Sequence, residues 1–173
     1  MRARAIVPLL GAAMLATAAR AAELSIASPV FESGAAIPRD HTCDGKDASP
    51  PLVWRDVPER TKAFALIVDD PDAPAGTWTH WVLYDLPAST TVLPIGVPME
   101  NAVAGGKQGK NDFHHIGYNG PCPPPGRLHH YRFMLYALGA PTGLAAGASK
   151  ADVEKAVTGH SLAQATLVGT YGR

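Results

Sequence analysis

The run Ala63–Asp70, AFALIVDD, sets the terms for the rest of the chain. It joins six unbroken apolar residues to two acids and is closed by Pro71. Such a run is short for a helix and lacks the alternation of a half-exposed strand. It reads instead as a strand buried on both faces. A strand covered on two sides needs a layer above it and a layer below, and the rest of the sequence offers mostly strands to build them. THWVLYDLP (Thr79–Pro87) alternates His80, Val82 and Tyr84 against Trp81 and Leu83. HHYRFMLYAL (His129–Leu138) sets His129, Tyr131, Phe133 and Leu135 opposite His130, Arg132 and Met134. LSIASPVF and PLVW read as shorter strands.

Other segments are less regular. SKADVEKAVTGH, residues 149–160, has a helix signature: Ser149 and Asp152 resemble a capping box and Gly159 is a natural stop. SLAQATLVGTYGR, which follows, fits either more helix or a strand. The Gly- and Asn-rich stretch Leu93–Gly117 reads as a long loop. The 17 glycines and 16 prolines among 173 residues favour turns and extended chain over helix. That length suits one domain with a real core. The expectation is a single, mainly β domain with a few helices.

The first residues stand apart from that domain. Arg2 and Arg4 precede a short apolar run, Ala5 to Ala19, and Ala19-Arg20-Ala21 fits a small-x-small cleavage site. Residues 1–21 are therefore expected to be a secretory signal and 22–173 the domain. A membrane anchor needs roughly 20 apolar residues, so stable membrane insertion is not expected. The implied location is periplasmic or secreted. There Cys43 and Cys122 can persist as a disulfide, and the sequence leaves open whether they bridge or are two buried thiols. Lysine plus arginine number 15, as do aspartate plus glutamate, so no field of one sign exists to gather nucleic acid.

Polar residues capable of chemistry gather at strand ends. Asp69, Asp70 and Asp72 lie where the buried strand exits, stiffened by Pro71 and Pro74. Alone they would pass for an ordinary turn. His80 and His129 each stand at a strand entrance beside a rigid Pro/Gly loop, where the fold does not demand an imidazole. With Tyr131 and a Gly120-Pro121 loop whose N–H groups are exposed, the set suits a small anion. His129 and His130 point to opposite faces, and His129, which shares a face with Tyr131, is the candidate. No H-E-x-x-H, paired-cysteine or G-x-S-x-G pattern is present, and Cys122 has no evident base, so no catalytic role, metal or cofactor is assigned.

Three blocks together carry a family resemblance. DPDAP (Asp70–Pro74), THWVLYDLP and GPCPPPGRLHHYRFMLYAL (Gly120–Leu138) resemble the phosphatidylethanolamine-binding protein family, in its bacterial and archaeal branch, often labelled Raf-kinase-inhibitor-like. HTCDGKDASPPLVW and the closing LVGTYGR are similar to that branch too. The resemblance implies a large central β-sheet packed on a smaller sheet, with peripheral helices on the other side. It also implies a small anion pocket for phosphate or a phosphorylethanolamine-like headgroup. Carried over, its residues are Asp70, Asp72, Pro74, His80, Gly120, Pro121, His129 and Tyr131. Many relatives read histidine-arginine-tyrosine where this chain has His129-His130-Tyr131, which moves a positive charge to Arg132. The C-terminal helix of animal members is not recognisable, and export argues against a cytosolic kinase partner. The expected function is non-enzymatic anion binding. The alternatives are a serine protease inhibitor acting through exposed loops such as Leu93–Gly117, and a hydrolase or metal-dependent enzyme using the His/Asp cluster. Some relatives dimerise, so a homodimer is also expected.

Overall fold

A computed structural model describes residues 23–173; the expected signal segment, 1–21, lies outside the described residues. In chain order the strands are β1 (Ser25–Ala27), β2 (Leu52–Arg55), β3 (Ala63–Asp70), β4 (Trp78–Pro87), β5 (Val92–Leu93), β6 (Ala102–Val103), β7 (Gly106–Gln108), β8 (Leu128–Leu138) and β9 (Ser161–Gly172). The α-helix α1 (Lys150–His160) separates β8 from β9, and one 3₁₀ turn spans Arg39–His41. Six strands form one antiparallel sheet in the order β6-β7-β4-β3-β8-β9, and β1-β2-β5 form a smaller one.

β3 is buried at every residue, as its unbroken apolar run requires, because both faces of the large sheet are covered. On one face Phe64, Leu66 and Val68 pack with Trp81, Leu83, Phe133 and Leu135 of the flanking strands and with Ile26, Leu52, Trp54 and Leu93 of the small sheet. On the other, Ala63, Ala65 and Ile67 join Val82, Tyr84 and Leu138 under Val153 and Val157 of α1. Those two valines are four residues apart and so share one face of a helix that is otherwise polar. The sandwich-plus-helix arrangement is the one the resemblance implied.

Several local expectations are corrected. The capping box is present: Ser149 Oγ accepts from the Asp152 N–H and the Asp152 carboxylate accepts from the Ser149 N–H. Gly159 does not stop the helix, which runs to His160, and Ser161 begins β9 with no residue between. The closing segment is thus a strand, paired with β8 from Leu128↔Gly172 to Leu138↔Ser161. The stretch from Leu93 to Gly117 is not one long loop. It carries β6 and β7, which extend the large sheet beyond β4. Cys43 and Cys122 are bridged, with Cα atoms 5.4 Å apart, so two loops separated by 79 residues are joined. Among the described residues no helix is long and apolar enough to cross a membrane.

β3 ends in acids that its burial will not tolerate unpaired. Asp69 has no exposed surface and lies on the α1 side. Arg132 grips it with two parallel hydrogen bonds, Nε to Oδ1 at 2.8 Å and a terminal nitrogen to Oδ2 at 2.9 Å. Lys150, at the start of α1, adds a third at 2.6 Å. Three elements therefore meet on one carboxylate. Arg132→Ala, which leaves that carboxylate half paired, is expected to lower the stability measured by urea unfolding by roughly 3 kcal/mol. Lys150→Ala should cost less. A loss below about 1 kcal/mol for Arg132→Ala would show that the cluster does not hold the strands and helix together.

Candidate functional site

The site is assembled by a break in strand regularity. Along β3 and β4, Val68 pairs with Trp81 and Asp69 with Thr79, so His80 has no opposite number. That is a β-bulge, and a bulge re-aims the side chain it carries. By strict alternation His80 would share the α1 face with Val82 and Tyr84. Instead its ring stands edge-on to Tyr131, 5.2 Å between centroids, on the sandwich side. His80 thereby joins Asp70 and His129 in one cavity of about 370 Å³.

At its base lies a buried pair. His129 Nδ1 is 2.7 Å from Asp70 Oδ2, and the two residues are 2% and 3% exposed. Asp70 Oδ1 accepts the backbone N–H of Asp72 at 2.8 Å, so both oxygens are engaged. His80 Nδ1 is 2.7 Å from the Asn119 carbonyl. A carbonyl or carboxylate can only accept, so each ring carries a proton on Nδ1, and Nε2 takes no part in these bonds. Burial pushes the His80 pKa below that of a free imidazole, against the weaker opposing pull of Asn119 and Asp70, so the ring is neutral near pH 7. Tyr131 backs His80 with a buried hydroxyl that feels the Asp70 charge without completing a hydrogen bond to it. Burial first, and Asp70 second, push its pKa far up, so it remains a phenol.

The walls are apolar. Trp78 and Phe113 meet edge to face at 5.5 Å, and Phe113 also stands 5.3 Å from His80. Ala73, Pro74, Cys122, Pro123 and Pro124 line the rest. No lysine or arginine lines the cavity among the described residues.

Asp70, Pro74, His80 and His129 thus converge as expected, and the other candidates do not line the cavity. Asp72 turns outward, where its carboxylate accepts from both the backbone N–H and Nδ1 of exposed His130, at 2.8 and 2.7 Å. Those hydrogen bonds hold the Asp72 pKa below the ordinary carboxylate value. The Gly120 N–H is not exposed: it donates to Asp47 Oδ1 at 2.6 Å. Pro121 is buried, and its carbonyl accepts from the Cys43 N–H at 3.1 Å. Arg132 brings its charge to Asp69 on the opposite face, so it does not serve the cavity. Sequence reading missed Trp78 and Phe113, which carry no polar signal, and Asp47. Asp47 holds the Asn119 side chain as well as Gly120, and so fixes the loop whose carbonyl orients His80. Its backbone at φ 54° is that of an ordinary turn aspartate, so nothing local in the sequence marks it.

Comparison with known proteins agrees with this architecture. A family model described as phosphatidylethanolamine-binding protein matches residues 27–172. A UPF0098 protein of Aquifex aeolicus is 51% identical over 152 residues, spanning 87% of this chain and 89% of that one. Among solved structures, Escherichia coli YbcL, described as a new member of the mammalian PEBP family, matches with a TM-score of 0.82 at 34% identity. The match covers 88% of this chain and 99% of YbcL. CT736 from Chlamydia trachomatis, described as a candidate homolog of the same family, matches with a TM-score of 0.80 at 36% identity, over 87% of this chain and 98% of that one. The chain belongs to the phosphatidylethanolamine-binding protein family.

Proposed function

We propose that the protein is an exported, non-enzymatic binder of small phosphate-bearing anions, held in the cavity above Asp70, His80 and His129. The observation that carries this reading is the pair of buried imidazoles with Nδ1 committed and Nε2 left over, at the base of a cavity. With no lysine or arginine in the lining, the positive charge an anion needs has to come from a proton on an imidazole. The ligand therefore binds together with a proton. The Trp78, Phe113 and proline walls suit the organic remainder of a phosphate ester. At about 370 Å³ the cavity is at the low end for ligand sites and has room for a headgroup, with any acyl chains left outside.

Two features support the rest of the reading. The lining cysteine, Cys122, is in a disulfide and so is not free to act as a thiolate nucleophile. The bridge itself belongs to an oxidising compartment, in keeping with export.

Calorimetric titration with phosphorylethanolamine and with inorganic phosphate tests the assignment. His129→Ala and Asp70→Ala are each expected to weaken binding roughly tenfold to a hundredfold, the size of one charge-assisted hydrogen bond, without loss of fold. Unchanged affinity in both variants would remove the site from the cavity.

The pH dependence follows from His80. A proton taken up with the anion makes affinity rise as pH falls from 8 to 6, by up to about tenfold per unit. Sulfate, whose charge is constant over that range, separates this from the titration of phosphate itself. The empty protein behaves oppositely. The unfolded chain protonates this histidine near its ordinary value of about 6.5, while the buried ring resists. Stability of the empty fold should therefore decline as pH drops below about 6.5, and thermal melts with and without sulfate should diverge most on the acid side. An affinity independent of pH would contradict the proton-linked reading.

A further inference from the structure

One wall of the cavity is held in an unusual way. Between Gly120 and Gly126 four of the residues are prolines, which have no N–H to anchor the chain. Cys122, Pro123 and Pro124 nonetheless line the cavity, along with Pro74 and Trp78. Few contacts keep them there. The Pro123 carbonyl accepts from Arg173 Nε at 2.8 Å, and the Gly126 N–H donates to the Arg173 carbonyl at 2.9 Å. At the head of the run the Pro121 carbonyl accepts from the Cys43 N–H at 3.1 Å, and beside it the one covalent tie joins Cys122 to Cys43. Both cysteines are exposed. A bridge that only stiffens a core is normally out of reach of thiols, and exposed bridges are the labile ones.

The floor of the cavity is built separately. Asp70 is set by pairing with Trp78 of β4 and His129 by pairing with Tyr171 of β9, and His80 by its bulge and by Asn119, which Asp47 holds. Opening the bridge would leave residues 122–124 held by the Arg173 and Pro121 hydrogen bonds alone, while the floor keeps its own.

We propose that the Cys43–Cys122 bridge is a redox latch on the ligand cavity: an external dithiol opens it and weakens binding, and bound ligand holds it shut. The inference rests on the cavity being the anion site. In the opening step a thiolate of the dithiol attacks one exposed sulfur. The S–S bond breaks, and the second thiol of the reductant resolves the mixed disulfide. Two electrons pass to the protein, which gains two thiols, and the reductant leaves as a disulfide. Coupling is reciprocal, so whatever factor reduction costs in affinity, the ligand must return as resistance to reduction.

The test uses the mature protein, oxidised or reduced by dithiothreitol, titrated calorimetrically with phosphorylethanolamine. Circular dichroism confirms in parallel that the reduced form stays folded. Reduced protein, and a Cys43→Ser variant, are expected to bind about tenfold more weakly than oxidised protein. In a dithiol/disulfide buffer, saturating phosphorylethanolamine should lower the midpoint potential of the bridge by the same tenfold, about 30 mV. Equal affinity of the oxidised and reduced forms, with no shift in midpoint, would overturn the latch and leave the anion site standing. Absence of binding to either form would overturn both. Unfolding on reduction would mark the bridge as a structural staple and end the latch proposal.

Discussion

A strand covered on both sides that ends in consecutive acids cannot leave either carboxylate bare, because an ionised group removed from water costs several kcal/mol unless it is paired. Asp69 and Asp70 lie on opposite faces of the sheet, so each must find its partner in a different layer. Asp69 finds Arg132 and Lys150 beneath the helix, and Asp70 finds His129 within the sandwich. Asp72, past the strand end, is already half in water and takes His130. The three acids thus divide between one anchor, one site and one surface pair. Both buried pairs join β3 to β8, so the forces that hold these two strands in register also place the ligand groups.

The cavity combines a negative base with apolar walls, a poor setting for an anion on charge alone. In the proposed anion-binding role the charge would come from imidazole protons, and neutral His80 is the group that would convert acidity into affinity. Such a cavity would suit a ligand with an organic remainder beside its charge, because Trp78 and Phe113 leave much of the wall with nothing polar to offer.

The strongly patterned parts of the fold were legible from sequence. β3 could be read from its unbroken apolar run, and β8 from its alternation, which also separated buried His129 from exposed His130. His80 was found as a residue but assigned to the wrong face. The bulge that turns it is fixed by the pairing of β4 with β3, which β4 alone does not encode. Gly120 went wrong for a similar reason: its N–H belongs to Asp47, a contact across 73 residues. β6 and β7 were hidden because two- and three-residue strands have no periodicity to show. The disulfide was legible only as two cysteines, since pairing is a matter of distance.

The junction of α1 with β9 has a consequence for how relatives of this chain can vary. Because His160 ends the helix and Ser161 starts the strand, no slack separates the two, and the β8–β9 ladder already absorbs its one irregularity at Ala137/Leu138. A residue inserted or deleted there would either rotate Val153 and Val157 off the sheet or slide β9 by one position, turning its inward side chains out. Length changes in this half of the molecule should therefore accumulate elsewhere. The turn at Gly76 and the loop at Gly143, where an added Cβ meets nothing, are among the places with room for them.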